Sequence, residues 1–323
     1  MDTKNKNIIP IFFAVNDDYV PLLHVAIESI MSQASGEYHY HIHILCDNLS
    51  EKNQRSLTGA ARENFEIRVT DMRGRIEAFT RQMHLRDYYT RTIYFRVFIA
   101  DIFPEYEKAL YLDCDTVLNA DISELYSFDI ADNYVGAITC ETVDSVPEFT
   151  AYAENFLGLK LPQYFNSGIL VMNLAVMRSV CFFDRFFDIA DKVEFFVAPD
   201  QDYFNVLCQG HVKFIPEVRR FTWNKTPRPE NDVELKDVKL VHYNLAYRPW
   251  RYDGVLYEEL FWKHAKNTPV YHELLERKRN FSEKDAEYDR MWMKKLVRLA
   301  TELSAAEESV RSKINSGKIV LMG

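Results

Sequence analysis

The chain has 323 residues, a length that suits one large α/β domain with an appendage or two small domains. Hydrophobic residues make up 47% of it and charged residues 27%, as in an ordinary soluble globular protein. The formal net charge is -9, and an acidic chain is poorly suited to hold phosphate backbones through clustered Lys and Arg, so we expect no nucleic-acid partner. The five cysteines include no CxxC pair, which argues against a zinc knuckle or a disulfide framework.

The sequence has no recognisable secretion signal or membrane span. The apolar run at residues 8–15 is short, contains Pro10 and is followed by no small-residue cleavage site. No segment reaches the ~20 apolar residues that a spanning helix needs. We therefore expect a cytoplasmic protein that is at most peripheral at the inner membrane face.

From residue 8 to about residue 125 the chain alternates predicted strands and helices. Apolar runs typical of buried strands cover residues 9–15, 40–45, 65–69, 108–112 and 134–140, with shorter ones at 168–173, 212–215 and 239–243. Helical patterns cover residues 21–30 and 92–102, and Ser50 is a candidate N-cap for a further helix. The alternation predicts an α/β fold with a mostly parallel central sheet flanked by helices.

Several polar residues stand where these predicted strands end, namely Asn16, Asp47, Asp113 and Asp115. In open parallel sheets, ligands bind outside the carboxyl ends of the strands. We therefore expect these four side chains to gather on one edge of the sheet.

Beyond Trp250 the pattern becomes helical and charged, with no strand signal in residues 255–315. Apolar residues recur there at helical spacing: Trp292, Leu296, Leu299, Leu303, Ala306, Val310 and Ile314. Basic residues lie near the start of this run: Arg290, Lys294, Lys295 and Arg298. An amphipathic helix of this kind predicts packing against the main domain or a partner, and the alternative is a helix lying on an anionic membrane surface.

The Asp113-Cys114-Asp115 segment directly follows an apolar strand and is the first candidate for chemistry. If the chain stays extended, the two carboxylates point the same way. Two such charges repel each other unless a cation lies between them, and hard oxygen ligands suit Mg²⁺ or Mn²⁺. The alternative is a solvated loop at the end of a strand.

His242 also ends an apolar run, which we expect to finish on the same edge as Asp113. An imidazole that joins two carboxylates gives a mixed nitrogen and oxygen site and favours Mn²⁺ over Mg²⁺. Arg248 follows in the same segment and is suited to neutralise a phosphate beside that metal.

Two further polar motifs are candidates for function. An Asn166-Ser167-Gly168 segment precedes an apolar strand and predicts a turn, where the amide offers both a donor and an acceptor to sugar hydroxyls. The Asp200-Gln201-Asp202 segment stands just before a predicted helix, and its two carboxylates are more than one helix cap requires. A structural turn and a plain cap are the respective alternatives.

Taken together, these motifs resemble glycosyltransferase family 8, which includes bacterial lipopolysaccharide galactosyl- and glucosyltransferases and glycogenin. They occur in the family's order: F-A-x-(N/D)-D-x-Y at residues 13–19, a helix with Arg96, L-Y-L-D-x-D at 110–115, F-N-(S/A)-G-(I/V) at 165–169, D-Q-D at 200–202 and H-Y-x-x-x-x-(K/R)-P-W at 242–250. The resemblance implies a GT-A fold, a UDP-sugar donor, usually Mn²⁺, and retention of anomeric configuration. It also implies a GT-A catalytic domain at residues 1–255, followed by a helical extension at residues 256–323.

The resemblance assigns roles position by position. The metal ligands would be Asp113, Asp115 and His242. The donor-binding residues would be Ala14, Val15, Asn16, Tyr19, Arg96, Cys114, Asn166, Asp200, Gln201, Leu245 and Arg248, with Tyr19 stacking on the uracil base and Gln201 on the reacting face of the anomeric carbon. Same-face attack by the acceptor hydroxyl is the preferred mechanism, and Asp200 or Asp202 as a covalent nucleophile is the alternative.

The chain departs from the family pattern at three positions: Leu245 replaces the usual Gly, Arg248 replaces Lys, and Asn16 stands where many members have Asp. Leu245 removes the backbone freedom that lets this loop fold over the diphosphate. We expect a hexosyltransferase that moves glucose or galactose from a UDP-sugar to a glycan or lipid-linked acceptor, in lipopolysaccharide or cell-surface glycan biosynthesis. The alternatives are a non-catalytic or hydrolytic UDP-sugar-binding relative and a sugar-phosphate nucleotidyltransferase. Acceptor contacts are expected from residues 142–161 and the C-terminal segment.

Overall fold

The computed structural model describes residues 7–76, 91–215, 233–245 and 247–321. Its strands are β1 (Ile8–Val15), β2 (His39–Cys46), β3 (Phe65–Asp71), β4 (Lys108–Leu112), β5 (Thr116–Leu118), β6 (Val135–Thr139), β7 (Phe165–Asn173), β8 (Val212–Phe214) and β9 (Leu240–His242). The strands predicted from apolar runs are confirmed to within a few residues at their ends. Strand β5, which follows Asp115 directly, was not predicted.

The α-helices of the described residues alternate with these strands and then continue alone. They are α1 (Val20–Gln33), α2 (Glu51–Thr58), α3 (Arg73–Ile76), α4 (Ile99–Ile102), α5 (Ser123–Tyr126), α6 (Glu141–Ser145), α7 (Pro147–Ala151), α8 (Leu174–Ser179), α9 (Phe182–Ala190), α10 (Pro199–Leu207), α11 (Glu258–Ala265), α12 (Tyr271–Asn280), α13 (Glu283–Ser304) and α14 (Val310–Asn315). Ser50 caps α2 as predicted, since its side chain accepts a hydrogen bond from the Asn53 amide. The segment predicted as a helix at residues 92–102 is mostly a 3₁₀ helix, Arg91–Phe98, that continues into α4.

The central sheet has seven strands in the order β3-β2-β1-β4-β7-β6-β8. Strand β7 runs antiparallel to both of its neighbours, and the other neighbouring pairs are parallel. This confirms the mostly parallel sheet. Both faces of strand β1 are covered, so Ile9, Ile11 and Phe12 are all fully buried. A continuous apolar sequence is typical of such a strand.

A separate two-stranded sheet, formed by β5 and β9, carries His242. As expected, the strand before His242 ends on the same edge as Asp113. Strand β9 pairs antiparallel with β5, and this register sets His242 opposite Thr116, next to the end of β4. The pairing brings the imidazole to the Asp113 edge by a route that the apolar pattern alone could not reveal.

Two local predictions were wrong in their backbone conformation, and the extended conformation considered for residues 113–115 is not observed. Residues 166–168 are not a turn but the start of β7, where β6 bulges between Ala137 and Ile138. Residues 199–202 form the first turn of α10 rather than preceding it. Residues 113–115 are not extended, because the Thr116 amide donates to the Asp113 carbonyl and closes a turn between β4 and β5.

The C-terminal helices pack on the rest of the chain. Helix α13 lies against α7 and against the π-helical turn Tyr152–Leu157, and α11 lies against α1. The apolar face of α13 joins the core through Leu296 and Ala300, which are buried. The predicted helical run ends at Ser304 and restarts at Val310, where Ser309 caps α14. This packing agrees with the interpretation of an amphipathic helix on the main domain.

Among the described residues, no helix is both long and apolar enough to cross a membrane. The helices after residue 255 share both core clusters with the earlier strands. The domain boundary at residue 255 stays a prediction.

Candidate functional site

A cavity of about 330 Å³ lies where β1 and β4 end. Most of the site residues predicted from the sequence line it: Ala14, Asn16, Tyr19, Arg96, Asp113, Cys114, Asp115, Asn166, Asp200, Gln201, His242, Leu245 and Arg248. Among the described residues, Val15, Asp47 and Asp202 are not part of this wall. Val15 is a core side chain of β1, which leaves only its backbone for a ligand.

Asp113, Asp115 and His242 form a compact cluster on the cavity wall. One potential ligand atom from each lies within 4.8 Å of the others. The Nε2 of His242 is 3.0 Å from Oδ1 of Asp115 and 3.6 Å from Oδ2 of Asp113. Two carboxylates and one imidazole at this spacing suit a divalent cation such as Mn²⁺.

The electrostatics of Asp115 favour an ionised carboxylate. Burial by itself raises its pKa, because a charge is poorly solvated there. The imidazole of His242, through its charge and its hydrogen bond, and the guanidinium of Arg248 outweigh burial and leave the pKa below its ordinary value. A metal ligand has to be deprotonated, so this environment suits coordination.

Gly168 makes room for the cluster. A Cβ atom at this position would overlap both the Asp113 carboxylate and the His242 ring. Its backbone carbonyl accepts a hydrogen bond of 2.8 Å from the Asp113 amide, which fixes the end of β4. The glycine of the Asn-Ser-Gly motif is therefore needed for close approach within a strand rather than for a turn.

Arg96 forms ion pairs with two carboxylates of the cavity wall. It is buried, and its Nη2 lies 3.1 Å from Asp113 Oδ1 and 3.2 Å from Asp200 Oδ2. Its Nη1 donates to the carbonyl and the hydroxyl oxygen of Ser167, at 2.6 and 3.0 Å. The guanidinium also stacks 4.2 Å from the ring centre of Tyr111. A buried cation held this way can keep two acidic groups in place without a bound ligand.

The Gln201 side chain is fixed at both ends. Its Oε1 accepts a hydrogen bond of 3.1 Å from the Ser167 amide, and its Nε2 donates to the Tyr164 hydroxyl at 3.1 Å. The neighbouring Asp200 accepts from the Ser167 hydroxyl at 3.2 Å, and burial raises its pKa although Arg96 acts in the opposite direction. Both residues line the cavity.

Asp202 lies behind this wall and is fully buried. Its two carboxylate oxygens accept hydrogen bonds from the hydroxyls of Tyr164 and Tyr152, at 2.6 and 2.8 Å, and from the Ala198 amide. Burial raises its pKa to about 7. This position does not suit the predicted role of covalent nucleophile, since the carboxylate is separated from the cavity by the two tyrosines.

The segment after His242 carries a cation and an unusual backbone. Arg248 Nη1 donates to the Tyr19 hydroxyl at 3.2 Å, and Tyr19 is 36% exposed. Among the described residues, the buried Nε of Arg248 and the buried Oδ1 of Asn244 have no hydrogen-bond partner. Leu245 has a φ of 60°, in the left-handed region that glycine adopts at little cost.

Sequence reasoning missed several lining residues: Thr92, Ile93, Tyr111, Cys140, Val197, Ala198 and Asn244. Tyr111 could have been found from its position on β4, two residues before Asp113, because alternate residues of a strand point to the same face. Its hydroxyl donates to the Asp113 carboxylate at 3.1 Å. Trp292 and Leu296 lie in the C-terminal segment, and Phe149 and Tyr152 in residues 142–161, the two regions expected to contact the acceptor. All four line the cavity, and the acceptor role itself stays a prediction.

A mixed sheet with a polar cavity at its strand ends is the architecture of a GT-A glycosyltransferase, and solved structures share it. Galactosyltransferase LgtC in complex with donor and acceptor sugar analogs aligns with a TM-score of 0.65 at 23% identity, over 81% of this chain and 96% of that one. The apo bifunctional enzyme WbbM aligns with a TM-score of 0.73 at 22% identity, over 87% of this chain and 53% of that one.

Residues 10–254 match the model of glycosyl transferase family 8, and the chain belongs to this family. A Haemophilus influenzae protein named as a glycosyltransferase is 29% identical over 219 residues, which are 68% of this chain and 64% of the relative. The lipopolysaccharide 1,2-glucosyltransferase of Escherichia coli K12 is 24% identical over 268 residues, or 80% of this chain and 77% of that enzyme. The resemblance found in the motifs is thereby confirmed.

Proposed function

We propose that the protein is a retaining, Mn²⁺-dependent hexosyltransferase that uses a UDP-sugar and acts on a glycan or lipid-linked acceptor. The observation that carries the proposal is the Asp113, Asp115 and His242 cluster, set beside an arginine and a glutamine in one cavity. Membership of family 8 supports the reaction class and argues against the nucleotidyltransferase alternative.

The residues present fit a divalent metal. Gly168 leaves a space that even a methyl group would fill, and His242 supplies a nitrogen ligand beside two oxygens. Bound there, a divalent cation would neutralise the charge that develops on the diphosphate as UDP departs. Mn²⁺ is favoured over Mg²⁺ because of the imidazole, and Mg²⁺ is a weaker substitute.

The donor diphosphate is expected beside Arg248. A buried guanidinium with an unpartnered Nε can donate to phosphate oxygens without first losing another bond. Tyr19 is partly exposed on the same side and offers a flat surface for the uracil base. Asn166 and the Asp200 carboxylate line the part of the cavity that the donor sugar would occupy.

Same-face attack fits the groups around the reacting carbon better than a covalent intermediate. Asp200 is paired with Arg96 and Ser167, and Asp202 is buried behind two tyrosines, so neither is a free nucleophile. The acceptor oxygen would form a bond to the anomeric carbon while the bond between that carbon and the UDP oxygen breaks. The departing phosphate oxygen would then take the proton of the acceptor hydroxyl. Gln201 would stabilise the positive charge on that carbon through its fixed amide oxygen.

The donor sugar is proposed to be glucose or galactose. The E. coli relative carries glucosyltransfer in its name, and the LgtC structure is that of a galactosyltransferase. The name of the E. coli relative also favours a lipopolysaccharide or other cell-surface glycan as the acceptor. We propose a cytoplasmic site of action.

The test is a hydrolysis and transfer screen with UDP-glucose, UDP-galactose and their N-acetyl forms, with Mn²⁺, with Mg²⁺ and with EDTA. We expect UDP release from one hexose donor, fastest with Mn²⁺ and absent with EDTA. Rates that EDTA leaves unchanged would contradict the metal site. Binding of UDP-sugars without any turnover would instead support the non-catalytic alternative, for which the strained Leu245 is the best argument.

We also propose a peripheral membrane contact through the outer face of α13. Tyr288 and Met291 are 53% and 62% exposed, and the exposed Lys294 and Lys295 flank them. Since the apolar face of α13 is already packed on the core, attraction to anionic lipid would depend on these lysines. In co-sedimentation with vesicles containing phosphatidylglycerol, a K294E/K295E variant should stay in the supernatant while the wild type pellets; equal pelleting of both would sink the idea.

A further inference from the structure

The cavity has an uncharged portion in addition to the metal side. Val143, Phe149, Tyr152, Trp292 and Leu296 all line it, and all belong to one hydrophobic cluster. The last two come from α13, which lies beyond residues 10–254, the segment that matches the family model. Two of these five side chains are therefore supplied by a helix of this chain outside the family segment.

Helix α13 is held rigidly in this position. Its N-terminus has a reciprocal capping box between Ser282 and Asp285. One turn before Trp292, the buried Asp289 accepts hydrogen bonds of 2.9 and 3.0 Å from Arg251 and one of 3.1 Å from the Tyr252 hydroxyl. One turn after it, Leu296 is buried against the core. These contacts hold the helix so that Trp292 lies at the cavity.

The uncharged wall adjoins the reacting centre. The Tyr152 hydroxyl donates to Asp202, which also accepts from Tyr164, and Tyr164 in turn accepts from Gln201. Tyr152, Trp292 and Gln201 line the same cavity, so a molecule bound at Trp292 shares that cavity with the glutamine that we place at the anomeric carbon. Because we place the donor diphosphate at Arg248 and the metal cluster, we assign the Trp292 side of the cavity to the acceptor.

The chemistry of this wall selects the class of acceptor. Aromatic rings offer flat faces to the C–H side of a pyranose, and Thr142 offers a hydroxyl on the same cavity wall. Phe149, Tyr152, Trp292 and Leu296 carry no charge, so they provide nothing to balance a phosphate or carboxylate on the bound sugar. An alkyl chain would gain from the apolar groups but would leave the threonine hydroxyl unused.

We propose that Trp292 and Leu296, together with Phe149 and Tyr152, form the acceptor subsite, and that it takes a neutral pyranose whose apolar face lies on Trp292. This inference rests on the proposed function. It assigns acceptor specificity to α13, while the metal side of the cavity handles the donor.

The experiment compares W292A and W292F with the wild type and with W262A as a matched control. Trp262 packs on Phe261 in the other core cluster, at 5.1 Å between ring centres, and does not line the described cavity. Two rates are measured for each protein: UDP release without acceptor, and transfer to methyl α-glucoside, methyl β-galactoside, octyl β-glucoside and glucose 6-phosphate.

In W292A we expect the KM for the best neutral methyl glycoside to rise at least tenfold, a larger change than in the rate of UDP release without acceptor. W292F should restore most of the affinity, and W262A should alter neither rate. An unchanged acceptor KM in W292A would overturn the inference. So would saturation of the wild type by none of the neutral glycosides, a preference for glucose 6-phosphate, or a W292A effect confined to the octyl chain. If the wild type releases UDP from no donor, the proposed function itself fails.

Discussion

Two segments of this protein share the pattern Asp-x-Asp, yet they place their carboxylates in opposite ways. Asp113 and Asp115 lie in a turn between two strands and converge with His242 on one point. Asp200 and Asp202 lie in the first turn of a helix, where residues two apart point about 200° away from each other. Asp200 therefore faces the cavity, and Asp202 faces the core.

The comparison teaches that the backbone decides what a pair of carboxylates can do. In the turn, two like charges lie close together and need a cation to neutralise them. In the helix, Asp200 shares Arg96 with Asp113, while Asp202 accepts hydrogen bonds from two tyrosine hydroxyls and is turned away from the cluster. The experiments below test whether the two segments are as different in function as they are in geometry.

The largest effect is expected from D115A. This substitution removes the Asp115 carboxylate, which is one of the three ligands and lies 3.0 Å from the buried His242 ring. Because a catalytic metal supplies several kcal/mol at the transition state, we expect UDP-sugar turnover to fall about a thousandfold or more. The rate is measured at saturating Mn²⁺, and thermal unfolding shows that the variant is folded. A D115A enzyme within tenfold of the wild type would contradict the metal role.

A smaller loss is expected from G168A, which alters neither pair of carboxylates directly. The added methyl group would push the Asp113 carboxylate and the His242 ring apart, so we expect Mn²⁺ affinity to fall about 10- to 100-fold. G36A is the matched control, since a Cβ atom there meets nothing within 4 Å. Equal Mn²⁺ affinities of G168A and G36A would show that the cluster is not the metal site.

Much of this arrangement can be predicted from sequence, for identifiable reasons. The apolar runs of β1 and β4 are long and buried on both faces, so the positions of Asn16 and Asp113 at their ends follow directly. The position of His242 does not, because β5 and β9 are three-residue strands whose pairing depends on contacts distant in sequence.

Burial of polar residues is the other part that the sequence does not reveal. Asp202 is as polar as Asp200, and only the packing of Tyr152 and Tyr164 makes it a core residue. In the same way, the helical spacing of Trp292 and Leu296 predicts an apolar face but not its contact with the cavity. Both outcomes depend on tertiary contacts rather than on local pattern.

Asp202 should reveal itself in the pH dependence of stability. Its pKa is about 7 in the folded protein against 3.8 for a free aspartate, so the native state binds the extra proton between these values. Its contribution to the free energy of unfolding is therefore present below pH ~4 and is lost as the pH rises towards 7, by up to about 1.4 kcal/mol per pH unit.

D202N removes the titrating carboxyl group. The free energy of unfolding of this variant should therefore not show the decrease between pH 4 and 7 that we expect for the wild type. Chemical unfolding of both proteins at intervals of half a pH unit measures the difference. Parallel stability curves for the wild type and D202N would mean that Asp202 is ionised in the native state and is not isolated from the charged cavity.

The smallest effect is expected at Leu245, beside the metal cluster. A non-glycine residue in the left-handed region costs about 1–2 kcal/mol, and glycine relieves this at the expense of a more flexible unfolded chain. We expect L245G to bind UDP two- to threefold more tightly and L245V, with a β-branched side chain, to bind it more weakly. Calorimetric titration with UDP and Mn²⁺ measures both; an L245G variant that binds UDP more weakly than L245V would reverse the argument.

The central claim is that Asp113, Asp115 and His242 bind the divalent metal while Asp200 and Asp202 do not. Electron paramagnetic resonance of free Mn²⁺, measured during titration of the protein in the presence of UDP, tests it most directly. The account predicts one tight Mn²⁺ site in the wild type and in D202N, and no tight site in a D113A/D115A variant. A tight site that survives in D113A/D115A, or one that disappears in D202N, would contradict it.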